Sequence, residues 1–299
     1  MLNGRILDTG KILVPTLQWY ISHSCNLTCT NCSNLNNFAI SGHNTYDDTI
    51  AKNWANKLHV NDFCIIGGEP FTNNDLNTWA LGLRKHFTCR DFRIVTNGTL
   101  LKKFAQDIPK WIENGITIEV SLHSENHFER AFADIDEILQ GKYTRTTKQQ
   151  LQDSGCINHI ACGYKDAIMV DNFPAFVINY KTKFYPWGVR GVKDNVWQFY
   201  DSDKELAHSN CWHKDTPYIY EGKMYKCGTM VGAKGFVQKY KVRDKDKELV
   251  DAYKPIDIMR NNLAEQIQDL NNSIPQCTLC PNNSKTLQKI QLDKKKILP

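Results

Sequence analysis

The chain has 299 residues, 41% of them apolar and 23% charged, with a formal net charge of +5. This is the composition of a globular protein with room for one large domain, or a large and a small one, around a buried core. A membrane-spanning chain is excluded, since no run of about eighteen apolar residues occurs. The opening MLNGRILDTGKILVPTLQWY has neither the basic start nor the cleavage site of a signal peptide. A cytoplasmic location is expected, where thiols stay reduced. Eleven cysteines, an odd number, then point to metal binding or catalysis and not to a disulfide framework. Lys294, Lys295 and Lys296 read as a solvated tail, and the sign-alternating stretch from Lys241 to Glu248 as an exposed face. No nucleic-acid-binding signature is present.

In chain order, Leu17 to Ser22 is a short strand leading into CNLTCTNC. A helix is predicted over Tyr46 to Val60, where Ile50, Trp54 and Leu58 recur and Thr45 with Asp48 makes a capping-box-like start. DFCIIGG is a buried strand, and Leu76, Trp79, Ala80 and Leu83 stripe a second helix. Arg93 to Gly98 is the next strand. Leu101, Phe104, Ile108, Trp111 and Ile112 outline a third helix despite Pro109. Ile116 to Leu122 is a strand, Phe128, Phe132, Ile135 and Leu139 form a helix ended by Gly141, and AIMV and AFVINY are later strands.

Strands alternating with amphipathic helices imply parallel βαβ units, in an open doubly wound sheet or a barrel. In both, loops at the carboxyl ends of strands build the site. The cysteine run, GGEP, TNG and SLHS all fall at or just after such an end, on one face of the molecule. From about Ala207 the helical periodicity fades into turn-rich segments. A boundary is placed there, giving domains 1–206 and 207–299.

Cys25, Cys29 and Cys32 can hold three corners of an iron–sulfur cube, or zinc with a fourth ligand from elsewhere. Three ligands on a four-iron cube leave one iron open to something that is not protein. CNLTCTNC resembles the CX3CX2C cluster loop of the radical S-adenosylmethionine (SAM) enzymes, and GGEP (Gly67 to Pro70) resembles their motif for the methionine amino group. Thr96 to Leu101 and Val120 to His123 fall where that family has its third and fourth strands.

The resemblance covers roughly Leu17 to Tyr200. It implies an α/β fold, a partial (β/α)6 TIM-like barrel, with a small C-terminal β-hairpin and helix domain for an auxiliary cluster. It further implies that SAM chelates the open iron through its amine and carboxylate, and that a 5′-deoxyadenosyl radical takes a hydrogen atom from the substrate. The carbonyls of Gly67 and Gly68 and the Glu69 carboxylate would accept from the SAM amine, within the motif closed by Pro70. Asn97 and Ser121 would meet the ribose hydroxyls or the methionine carboxylate, or serve only as turn and cap residues. Asn31 departs from the family, which often has an aromatic residue there.

Cys211, Cys227, Cys277 and Cys280, spaced CX10GX4C and CX2C, resemble the auxiliary-cluster extension called SPASM, or its shorter form, twitch. They imply a second [4Fe-4S] cluster, against the alternative of a structural zinc ribbon. Among the other thiols, Cys64 reads as a packing residue, Cys89 follows a helix and carries no signal, and Cys156 and Cys162, around His159, read as packing or as metal or thiol chemistry. His123 is the best placed histidine to touch substrate, and His23 and His213 neighbour cluster cysteines. The expected activity is hydrogen abstraction from a small polar substrate with oxidation through the auxiliary cluster, served by a flavodoxin or ferredoxin. Alternatives are a crosslinking or epimerising peptide maturase, and a non-catalytic iron–sulfur or zinc protein. The sixteen or so residues before the first strand are too few for a peptide-binding module.

Overall fold

The computed structural model describes residues 2, 4–38, 40–123, 127–147, 149–150, 164–180, 183–184, 189–282 and 288–289. Four βα units open the chain: β1 (Ile12–Tyr20), α1 (Asp48–Lys57), β2 (Leu58–Ile66), α2 (Leu76–His86), β3 (Asp91–Thr96), α3 (Ile108–Glu113), β4 (Thr117–Leu122) and α4 (Phe128–Leu139). Then β5 (Thr144–Thr147), β6 (Tyr164–Val170) and β7 (Phe173–Tyr180) form an antiparallel meander, whose last strand pairs parallel with β4. Two short ribbons stand apart: β8 (Lys183–Phe184), which pairs with Gln288–Lys289, and β9 (Val189–Lys193) with β10 (Val196–Phe199). The last third holds α5 (Lys204–Ser209), β11 (Tyr218–Tyr220), β12 (Lys223–Tyr225), α6 (Gly228–Lys239), α7 (Asp244–Ala252), β13 (Ile256–Asp257) and α8 (Leu263–Asp269).

Ten strands make one sheet in the order β13-β12-β11-β1-β2-β3-β4-β7-β6-β5. The parallel α/β expectation holds, in a sheet that stays open. Strands β1 to β4 lie side by side in chain order, and residues from α1, α2, α3 and α4 join a single core cluster with one face of them. That face carries Leu17, Trp19, Phe63, Ile65, Phe92, Ile94, Ile118 and Val120. Helices kept to one side by same-handed crossovers are the arrangement of a barrel wall; a doubly wound sheet has helices on both sides. The opposite face follows from the two-residue period of a strand. It carries the buried polar residues Arg93, Thr117, Glu119, Ser121 and Asn179. β11 pairs parallel with β1, so the region after Ala207 extends the same sheet.

Three local expectations are corrected. Asp47, not Thr45, caps α1: its carboxylate accepts from the Thr49 and Ile50 amides at 2.8 and 3.0 Å. The helix ends at Lys57, because Leu58 and Val60 pair with Ile12 and Val14 as strand residues; apolar spacing overran the boundary. The third helix breaks into a 3-10 turn (Leu101–Phe104) and α3, with Pro109 in the first turn, where a missing N–H has no partner to lose. Among the described residues no helix is long and apolar enough to cross a membrane.

Candidate functional site

Parallel pairing brings the ends of β1 to β4 to one edge. The cysteine loop follows β1, GGEP follows β2, Asn97 follows β3, and Ser121 and His123 stand at the end of β4. The first two loops are stitched together by their backbones: Gly68 N donates to Ser22 O at 2.7 Å and Glu69 N to Ser24 O at 2.9 Å. The two glycines permit this approach. A Cβ on Gly67 would stand 2.6 Å from Ser22 O, and one on Gly68 would strike Ser24 O and come within 2.9 Å of Cys25 Cβ. Gly68→Ala is therefore expected to destabilise the fold by about 1–3 kcal/mol, the usual range for overpacking, and to push Cys25 outward. Urea unfolding and iron content measured on the same preparation check this.

Glu69 is turned into the protein. Its Oε1 accepts from Phe71 N at 3.0 Å and Thr96 Oγ1 at 2.7 Å, and its Oε2 from Asn97 N at 2.6 Å. Burial pushes its pKa up to about 7, against the pull of those donors. The carboxylate thus ties the end of β2 to the end of β3, a task that its sequence position did not suggest. The Gly67 carbonyl accepts from Asn34 Nδ2 at 3.3 Å.

Asn97 ties in the cysteine loop as well. Its Nδ2 donates to Asn26 Oδ1 at 2.9 Å, and Asn26 Nδ2 donates to Thr99 Oγ1 at 2.7 Å. Asn26→Ala is expected to cost about 1–2 kcal/mol, since it strands the Asn97 and Thr99 groups, and to slow reconstitution of iron into the loop. The rate of iron uptake by the apo-protein checks it. Two buried polar atoms here lack a partner among the described residues: Asn34 Oδ1, which packs against Gly228, and Ser121 Oγ at the end of β4. A buried hydroxyl left over at a strand end suits a ligand with polar groups. His123 directly follows β4. His23 is enclosed by Tyr20 and Tyr220, with ring centroids 5.0 and 4.9 Å away, and burial lowers its pKa to about 4.

Cys25, Cys29 and Cys32 form no disulfide and lie within electrostatic reach of one another. Burial pushes the Cys29 thiol up to about 12 and that of Cys25 well above its ordinary value. The Leu27 amide donates to Cys25 Sγ at 3.4 Å, a bond that favours thiolate. The donor set, three sulfurs on a short loop, fits three corners of an iron–sulfur cube. Among the described residues no three His, Cys, Asp or Glu side chains stand at the spacing of a formed metal site.

The C-terminal group is assembled from three segments. Cys211 follows α5, Cys227 precedes the first turn of α6, and Cys277 and Cys280 lie in and after a 3-10 turn (Pro275–Leu279). None of the four is in a disulfide, and they line one cavity together with His213 and Lys226. The hairpin that delivers Cys227 turns on Glu221 and Gly222, both with positive φ (47° and 72°), the two-residue turn that suits the twist of paired strands. Backbone amides already face the sulfurs: Ile274 N donates to Cys277 Sγ at 3.5 Å, and Met230 N to Cys227. Four soft donors around one buried space fit an iron–sulfur cube or zinc.

Residues 16–158 match the family described as a 4Fe-4S single cluster domain, a span that takes in the cysteine loop, GGEP and TNG. A probable GTP 3′,8-cyclase of Methanococcus vannielii is 28% identical over 124 residues, 40% of this chain and 41% of that one. Both matches are in keeping with the resemblance of CNLTCTNC and GGEP to the radical SAM enzymes. This chain spans less than half the length of that curated relative. Solved structures similar to it include anSMEcpe with bound AdoMet (21% identity, 43% of this chain and 41% of that chain, TM-score 0.33). Another is SuiB of Streptococcus suis bound to S-adenosylmethionine (17% identity, 91% and 72%, TM-score 0.38).

Of the remaining thiols, Cys64 is buried in β2, and Cys89 donates to Asp91 O at 3.4 Å. Cys156, His159 and Cys162 lie outside the described residues. Sequence reasoning missed Asn26, Asn34, Thr96 and Thr99, which join the loops of this site. Asn and Thr beside glycines read as ordinary turn formers, and only their partners across the site reveal the network.

Proposed function

We propose that this chain is a cytoplasmic radical SAM enzyme that binds SAM at the Cys25–Cys29–Cys32 loop, removes a hydrogen atom from a small polar substrate, and oxidises it with the help of a second cluster held by Cys211, Cys227, Cys277 and Cys280. The observation that carries the reading is the convergence of those four cysteines, from three segments, on one cavity. Four protein ligands leave no open iron, so that site suits electron transfer and not ligand binding. A cluster with SAM supplies the radical chemistry, and the protein supplies orientation and exclusion of water.

The chain's own residues divide that work. Glu69, Asn97 and Asn26 hold three loops in register, while Ser121 Oγ offers a polar contact to SAM. The buried polar face beneath them favours a small polar substrate. Arg93 Nη1 donates to Glu119 Oε2 at 2.8 Å, and Asn179 Nδ2 to Glu119 Oε1 at 3.3 Å. A reduced flavodoxin or ferredoxin is the proposed electron donor.

Iron, sulfide and zinc counted per chain in protein prepared without oxygen test the reading. About eight irons with matching sulfide are expected for two four-iron cubes. About four irons and one zinc would leave the radical SAM site and reduce the C-terminal thiols to a structural centre, removing the oxidation step.

A further inference from the structure

Lys226 is a lysine that the fold has taken out of water. It is 3% exposed, it stands between the hairpin and Cys227, and it lines the same cavity as the four C-terminal thiols. Its Nζ donates to the carbonyls of Leu270 and Asn272, the latter at 2.8 Å, and its backbone N–H donates to Tyr253 Oη at 2.8 Å. Among the described residues no carboxylate forms an ion pair with it. What does lie within electrostatic reach, besides a more distant Asp215, is sulfur: Cys277, Cys227 and Cys211.

An ammonium in a low-dielectric interior is costly unless a negative group compensates it. Two neutral carbonyls take two of its three N–H donors and leave its charge uncompensated. Thiolates supply the missing charge, because a metal ligand is the deprotonated sulfur. Four thiolates around a four-iron cube carry a net charge of about −2 when oxidised and about −3 when reduced. The second cation on the cavity wall, Lys214, directs its Nζ to Ser209 O at 3.2 Å on the exposed side. Lys226 is the buried one.

We propose that Lys226 is the internal counter-cation of the four-thiolate site and raises its reduction potential. The inference rests on the proposed second cluster and deepens it. Reduction brings one electron from a low-potential one-electron donor into the cluster; the donor is oxidised by one electron and no bond is made or broken. The added negative charge arrives beside a fixed positive one, so the reduced form gains more from Lys226 than the oxidised form. The same side chain joins the strand carrying Cys227 to the chain leaving α8 toward Cys277, so it also holds the two halves of the ligand set together.

The test uses the full chain with Cys25, Cys29 and Cys32 all replaced by alanine, so that only C-terminal iron is seen. Dithionite-poised samples are followed by electron paramagnetic resonance, and iron is counted in each. Lys226→Gln keeps a donor for the carbonyls and removes the charge. It is expected to retain about four irons and to shift the reduction equilibrium about tenfold toward the oxidised form, about 59 mV for a one-electron couple. Lys226→Gln with full iron and an unchanged potential overturns the proposal while leaving the second cluster standing. If Lys226→Gln loses its iron, the charge-keeping Lys226→Arg decides: retained iron supports the counter-cation, and loss in both variants overturns it in favour of a merely structural lysine. The absence of iron from the triple-alanine parent overturns the second cluster itself, and this proposal with it, before any lysine variant is compared.

Discussion

Glu69→Ala is expected to lower the stability of the loaded protein by about 3 kcal/mol or more and to abolish SAM binding. Three donors, the amides of Phe71 and Asn97 and the Thr96 hydroxyl, converge on that carboxylate in the interior. Alanine leaves all three unmatched, and each buried donor so stranded costs about 1–3 kcal/mol. Glu69→Gln is the informative partner. Its oxygen still accepts from Phe71 and Thr96, but its NH2 faces the Asn97 amide, a donor against a donor, for a loss of about 1–3 kcal/mol. Urea unfolding ranks the three proteins, and calorimetric titration with SAM separates stability from binding. If Glu69→Gln unfolds at the wild-type midpoint, the carboxylate does not join the loops as described. If Glu69→Ala binds SAM normally, the GGEP segment is not part of the cofactor site.

Cys29→Ala is expected to remove about half of the iron, from about eight to about four per chain, and to take SAM cleavage below detection. Cys29 is the most buried of the three loop thiols, at 8% exposure, so water cannot readily stand in for the missing sulfur. Cys277→Ala should remove the other half and leave SAM cleavage to 5′-deoxyadenosine in place. The two substitutions divide the iron between the two sites, and the cleavage assay assigns the chemistry to one of them. Equal loss of cleavage in both variants would mean that the sites do not act separately.

Much of the architecture is legible in the sequence, because periodicity reports burial directly. Trp54, Trp79, Leu83, Trp111 and Ile135 sit on helix faces read from spacing, and all are buried against the sheet. Motif spacing likewise located the cysteine loop and GGEP, since close chemistry at strand ends leaves short, recognisable runs. What spacing does not carry is partnership between distant residues. Leu58 fits a helical stripe and a strand equally well, and pairing with Ile12 decides between them. Glu69 was read as facing a ligand because its motif faces one, whereas the structure gives its oxygens to Thr96 and Asn97. Nothing in the local sequence sets Lys226 apart, and its burial becomes visible only when Leu270 and Asn272 arrive over it.

The parallel pairing of β11 with β1 bears on how the chain is divided. β1 opens the sheet in sequence but does not end it in space, because β11, β12 and β13 continue beyond it. A chain cut near residue 207 would leave one side of β1 with unpaired N–H and C=O groups, an open template for another molecule's strand. The helix that begins at Gly228 would go as well, and with it the Thr229 hydroxyl that donates to Ser33 O at 2.8 Å, one residue past Cys32. The last third is therefore not a detachable cassette. Grafting it elsewhere, or expressing the first two thirds alone, exposes a sticky edge and removes a wall of the first cysteine nest, so the two cysteine sites have to be engineered as one object.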